Sequence, residues 1–288
     1  MNNKGLTLTL IIKAQSANFG EALGNISSLK KMTMFGKEYT FLSRQALRYS
    51  LVKSLGWDTT TCEVHGAAQF STDSSIVESP EIDLFGYMKT KTTPSRKRSA
   101  VVRLNPAISL EEYQGEMEVM NNIGLALRIS DSAEENGQML VNSEQHASYY
   151  AYTLTIDLDR VGVDMVDGEV IEISQEEKSK RINDFLEGVQ FLYRDIKGRR
   201  ENLSPLFVIG GIYDRRNPFF MNSIYLEKRA LNVEQLKDMK ESIPGETYVG
   251  VIKSAFMNGD EIEEELNAKK IHEVFNQLKK DVSVYYEE

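Results

Sequence analysis

Leu6, Leu8, Leu10 and Ile12 alternate with Thr7, Thr9 and Lys13, the period-two pattern of a strand with one buried face. The pattern returns far along the chain, where Tyr152, Leu154, Ile156 and Leu158 alternate with Thr153, Thr155 and Asp157. A continuous apolar run over residues 206–213 reads as a central strand. Between the last two, Ile182, Phe185, Leu186, Val189, Leu192, Tyr193 and Ile196 keep helical spacing and predict a helix over about residues 179–197. Strands so far apart in sequence must pair across long intervening segments. The chain is therefore expected to close one sheet around a helix-bearing core and to carry insertions between its halves.

The first helix is the most informative local feature. Ser43 is placed to cap it. The pairs Ala46/Leu47, Ser50/Leu51 and Ser54/Leu55 supply a core stripe, and Gly56 closes it. Arg44 and Arg48, four residues apart, share a face. Ahead of this helix, residues 14–38 read as a long polar loop containing Asn18, Gly20, Gly24, Lys30, Lys31 and Gly36. From the first strand to the helix end, Lys13, Lys30, Lys31, Lys37, Arg44, Arg48 and Lys53 face only Glu21 and Glu38, in a protein whose net charge is -9. Cations, short polar side chains and a helix start together suit an anion, phosphate above all.

A second basic segment, residues 89–103, holds Lys89, Lys91, Arg96, Lys97, Arg98 and Arg103 and no acid. It reads as a solvated ribbon or as a further electrostatic track for a nucleic-acid strand. Pro94 argues against a central strand there. Acid collects instead at Asp131, Glu134, Glu135, Glu144, Asp157 and Asp159, and again after Met257. Tyr149 and Tyr150 are candidates for base stacking, while Tyr152 lies on the apolar face of its strand. Phe219, Phe220 and Met221 read as core or as a contact ridge.

Several function classes find no support. The string G-x-x-x-x-G-K-[ST] is absent, as are G-x-S-x-G and any Cys/His nucleophile pairing. A single cysteine, Cys62, excludes an intrachain disulfide and reads as a small buried hydrophobe. His65, His146 and His272 are scattered, so no metal or cofactor is expected. No run approaches the length of a membrane helix and no signal peptide is evident, so a cytoplasmic protein with no membrane partner is expected. At 288 residues and 41% hydrophobic content the chain can bury a substantial core.

The order strand, basic loop, helix, insertions, strand, helix, strand predicts an α+β protein on a ferredoxin-like plan, shared by the RNA-recognition motif, with material inserted between its halves. Residues 125–129 and 138–141, flanking a polar tip at 130–137, read as a projecting hairpin.

Four segments together carry a family resemblance: residues 14–20 (AQSANFG), 41–48 (FLSRQALR), 83–88 (DLFGYM) and 215–218 (RRNP). They resemble the DevR-like backbone subunit of type I CRISPR Cascade complexes, subtype I-B. The resemblance implies a palm (1–57 and 148–288), a fingers insertion (58–124) and a thumb hairpin (125–147). It implies copies stacked head to tail on a CRISPR guide RNA, beside other Cascade subunits, with guide bases left free to pair with a target DNA strand. No catalysis is implied. By position, Asn18, Lys30, Lys31, Ser43, Arg44, Gln45 and Arg48 would contact guide phosphates and 2′-hydroxyls, and Arg96, Lys97 and Arg98 would touch guide or target. The thumb would wedge Met139 or Leu140 between nucleotides, although its acids Asp131, Glu134 and Glu135 favour docking on a neighbour's basic surface. Two further readings stay open: an RNA-cleaving enzyme of the same fold, for which Glu21 and His65 are the only nearby groups, and a monomeric single-strand RNA binder.

Overall fold

The computed structural model describes residues 4–15, 17–23, 26–129 and 140–287. Eight strands build its main sheet: β1 (Gly5–Ala14), β2 (Lys31–Met34), β3 (Lys37–Leu42), β4 (Val102–Leu104), β5 (Ala107–Ser109), β6 (Ser148–Asp157), β7 (Phe207–Tyr213) and β8 (Tyr248–Val251). Their order is β8-β7-β1-β6-β5-β3-β2, with β4 also paired to β6. The described helices are α1 (Arg44–Ser54), α2 (Pro80–Phe85), α3 (Ile123–Ala126), α4 (Gln175–Gln190), α5 (Val233–Ser242), α6 (Gly259–Leu266) and α7 (Ile271–Glu287).

The two alternating segments are direct neighbours. β1 runs antiparallel to β6, with Leu8 opposite Leu154 and Leu10 opposite Tyr152. Its leucine face packs with Leu47 and Leu51 of α1, Phe185 and Val189 of α4 and Phe275 and Leu278 of α7 in one core. Alternation predicts a solvated second face, yet Thr7, Thr9 and Ile11 are buried too. α5 and α6 bring Leu236, Ile262 and Leu266 into a second core with Ile11, Phe207 and Ile209. Thr9 and Thr153 satisfy each other there through a 2.8 Å hydroxyl bond. The apolar run 206–213 is indeed strand β7, and it needs Gly210. That residue has φ +152°, and a Cβ on it would lie 1.9 Å from the Thr7 carbonyl oxygen.

Several local expectations are corrected. The α4 helix stops at Gln190, because Tyr193–Ile196 and Arg199–Asn202 form a hairpin turned at Lys197 and Gly198, both at positive φ. Residues 14–38 are largely strand rather than loop. Phe19–Leu23 and Ile26–Leu29 join Glu116–Asn121 and Leu140–Gln145 in a second, four-stranded sheet. The expected strand at 125–129 is partly helix α3, and the antiparallel partner of Leu140–Gln145 is Glu116–Asn121, with Ile26–Leu29 parallel on its other side. Strands β4 and β5, inside the expected insertion, belong to the main sheet. Cys62 is exposed, since its two-stranded hairpin with Ala67–Phe70 packs little apolar surface. Tyr149, Tyr150 and Tyr152 are all buried, because β6 is central and covered on both faces, so none can stack a base.

One charged cluster ties distant segments together. The buried Asp83 carboxylate, on α2, accepts from Arg98 Nη2 at 2.6 Å, Arg181 Nη1 at 3.1 Å and the Gly162 N–H at 2.9 Å. Arg181 also donates to the carbonyls of Ile76 and Val77, and Arg98 to those of Asp83, Arg160 and Val163. Every buried charge in the cluster therefore has both an opposite charge and hydrogen-bond partners.

Candidate nucleic-acid interface

The N-terminus of α1 gathers residues from three segments. Asn18 Oδ1 accepts from the Ser43 backbone N–H at 3.1 Å and from its hydroxyl at 2.8 Å. The same Ser43 hydroxyl accepts from the Ala46 N–H at 3.2 Å, capping the helix. The Lys30 N–H donates to the Asn18 carbonyl at 2.7 Å, and the Lys30 carbonyl accepts from Phe41. Asn18 and Ser43 thus act as braces that hold the loop against the helix start. Arg44 and Gln45 are exposed there. Neither Arg44 nor Lys30 has an ion-pair partner among the described residues.

The remaining expected contacts are placed differently. Arg48 turns toward α2, donating to Glu81 at 2.8 Å and lying 4.9 Å from the Phe85 ring centroid. Lys31 lies 3.1 Å from Glu144 and 4.3 Å from the Tyr113 ring centroid. Burial pulls its pKa down, but the bond to Glu144 and the charges nearby leave it above its ordinary value. Arg96 pairs with Asp167, and Arg98 is locked in the Asp83 cluster. Lys97 between them is exposed. The basic segment 89–103 is in this way partly neutralised by the fold, and alternate residues of one short strand meet opposite fates. Of the expected thumb residues, Leu140 is half exposed. Met139, Asp131, Glu134 and Glu135 lie outside the described residues.

A cleft of about 480 Å³ opens beside this helix start, between α1 and the Tyr193–Ile196 strand. Asn18 and Phe19 line one end, Ala46, Tyr49 and Ser50 one wall, and Tyr193 and Asp195 the other. Tyr49 is 66% exposed and Tyr193 39%. Arg200 stacks on the Tyr193 ring at 4.7 Å and is oriented by two 2.8 Å bonds that its guanidinium donates to Asp195. Lys197 covers the Phe19 ring at 3.7 Å, and burial lowers its pKa. The sequence does carry a signal for Tyr49: it sits at the polar side of α1, four residues after Gln45, off the Leu47/Leu51 stripe.

The architecture recurs among known structures. A chain described as "CRISPR RNA-guided surveillance complex, pre-nicking" matches with TM-score 0.58 at 13% identity, over 86% of this chain and 92% of that one. A second, described as "CRISPR RNA-guided surveillance complex", matches with TM-score 0.53 at 18% identity, over 85% and 87%. The class is therefore a mixed α+β fold shared with chains of such complexes. No curated protein sequence is a significant match. The family model for the CRISPR-associated negative auto-regulator DevR/Csa2 matches residues 6–230. The chain belongs to the DevR/Csa2 family. No helix among the described residues is long and apolar enough to cross a membrane.

Proposed function

We propose that this chain, a DevR/Csa2-family backbone subunit of a CRISPR RNA-guided surveillance complex, grips guide RNA by its sugar–phosphate chain without cutting it. Its exposed bases would pair with a target DNA strand in a cytoplasmic complex of subtype I-B, in which copies of the chain follow one another along the guide. The observation that carries the reading is the convergence at the start of α1. Asn18, Ser43 and the Lys30 backbone are locked together while the Arg44, Gln45 and Lys30 side chains are left for a ligand. A helix N-terminus with unpaired cations beside it binds phosphate oxygens irrespective of base identity. The strand order β7-β1-β6-β4, with α1 and α4 packed on its leucine face, supports treating this sheet as a ferredoxin-like palm. Under this reading Lys97 is a second, more distant phosphate contact. Arg48 and Arg98 serve the scaffold.

The experiment is binding of the purified chain to single-stranded RNAs of unrelated sequence across a salt series, with mass measured by light scattering. Several copies per RNA are expected. Arg44→Ala should weaken every RNA to the same extent and reduce the slope of log K against log salt by about 0.7, one phosphate's share on a single strand. A strict one-to-one complex would remove the repeated-subunit reading. Loss restricted to particular sequences would remove the phosphate grip.

A further inference from the structure

We propose that the cleft between α1 and the Tyr193–Ile196 strand receives one unstacked nucleobase of the bound RNA. The inference rests on the reading of the α1 start as an RNA grip. Four observations carry it.

First, the cleft is concave and of a size typical for small-molecule sites, about 480 Å³. Second, two tyrosines stand at its walls with much of their surface in solvent. A Tyr ring offers a large rigid face at low entropic cost, and base stacking tolerates any base because every base has a π-face. Third, the α1 side of the cleft beside Tyr49 carries the small residues Ala46, Ser50 and Ser54, and its one long side chain, Lys53, is paired with Asp58. Ala46 and Ser50 lie one turn apart on α1, and the Ser50 hydroxyl is turned back to the Ala46 carbonyl at 2.9 Å. A flat ring can therefore approach the helix at Ala46 and Ser50 without meeting a bulky or unsatisfied side chain there. Fourth, Asn18 belongs to both features: its side chain braces Ser43 at the phosphate grip and it lines the cleft. Tyr49 follows Ser43 by six positions, about 9 Å along the helix axis. A nucleotide held by its phosphate at Arg44 can turn its base toward Tyr49.

The charges agree with this occupant. Arg200 is held on the Tyr193 ring by Asp195, extending the aromatic platform with a planar cation. Asp195 is itself neutralised by that pair, which also holds its pKa below the ordinary value. The cleft thus presents no uncompensated negative charge to a nucleotide.

The test uses the full chain, a single-stranded RNA and a ribose–phosphate oligomer of the same length lacking all bases. Tyr49→Ala should weaken the RNA about tenfold or more, as loss of one stacked base does, and leave the base-free oligomer unchanged. Tyr49→Phe should bind as the parent does, because the hydroxyl plays no part. Arg44→Ala should weaken both ligands equally. In the parent protein, 2-aminopurine placed along the RNA should be quenched at defined positions, and that quenching should vanish in Tyr193→Ala. Equal effects of Tyr49→Ala on RNA and base-free oligomer, or no effect on either, would overturn the base site while leaving the phosphate grip intact. No RNA binding by the parent would overturn both. Binding of an aromatic peptide in preference to RNA would reassign the cleft to a protein partner.

Discussion

Individual residues in this protein divide by what already satisfies them. Arg44 and Arg48 look equivalent in sequence, yet Arg48 is spoken for by Glu81 and the Phe85 ring while Arg44 faces water. Arg96, Lys97 and Arg98 divide the same way, since alternate positions on a strand point to opposite faces. His146 shows the same logic for pH. It is buried, with Nδ1 2.7 Å from the Thr40 hydroxyl, and burial holds its pKa below the ordinary 6.5, against the opposing charge of Glu111. As pH falls below about 6.5 the unfolded chain takes up this proton before the native protein does, so stability declines on acidification. Urea midpoints at pH 7.5 and 5.5 should show a larger acid loss for the parent than for His146→Gln. Equal losses would mean that this histidine titrates alike in both states.

Elements reveal where chain geometry overrides side-chain pattern. The turn between β2 and β3 places Phe35 and Gly36 at φ 52° and 76°, the arrangement of a two-residue hairpin loop that favours Asn-Gly. Phe35 is 98% exposed, so its ring gains nothing from packing while its backbone is strained. Phe35→Asn should raise the unfolding free energy by about 1 kcal/mol, read from urea titration; an unchanged or lowered value would mean the turn is unstrained. The helical spacing that runs from α4 into Tyr193 and Ile196 fails for a related reason. Lys197 and Gly198 form a tight turn, so the pairing of Tyr193–Ile196 with Arg199–Asn202 wins over helix continuation. Residues 14–38 pair mainly as short local hairpins, Phe19–Leu23 with Ile26–Leu29 and Lys31–Met34 with Lys37–Thr40, too short and too polar to show an alternating pattern. Only Ile26 and Ser27 reach the distant Asn142 and Ser143.

At the scale of the whole molecule, the Asp83 cluster joins α2, the strand bearing Arg98, the Gly162 turn and α4. Asp83→Asn removes the carboxylate that two buried guanidinium groups share, leaving Arg98 with Asp164 at 3.6 Å and Arg181 with Glu177 at 2.9 Å, and should cost about 3 kcal/mol in thermal or urea unfolding. A change below about 1 kcal/mol would show that the cluster is incidental to stability. The alternation of Leu6–Ile12 and of Tyr152–Leu158, the apolar run at 206–213 and the Ser43 cap determined by themselves that β1, β6, β7 and α1 exist, since each depends on residues close in sequence. The concentration of cations around α1 was equally legible. Which cations remain free was decided only by tertiary structure, because pairing partners such as Glu81, Asp83 and Glu144 arrive from other segments. Burial on both faces of the main sheet was likewise decided there, by the packing of α5 and α6. So was the aromatic cleft: Tyr49 and Tyr193 come from elements far apart in the chain, and only folding sets them around one space.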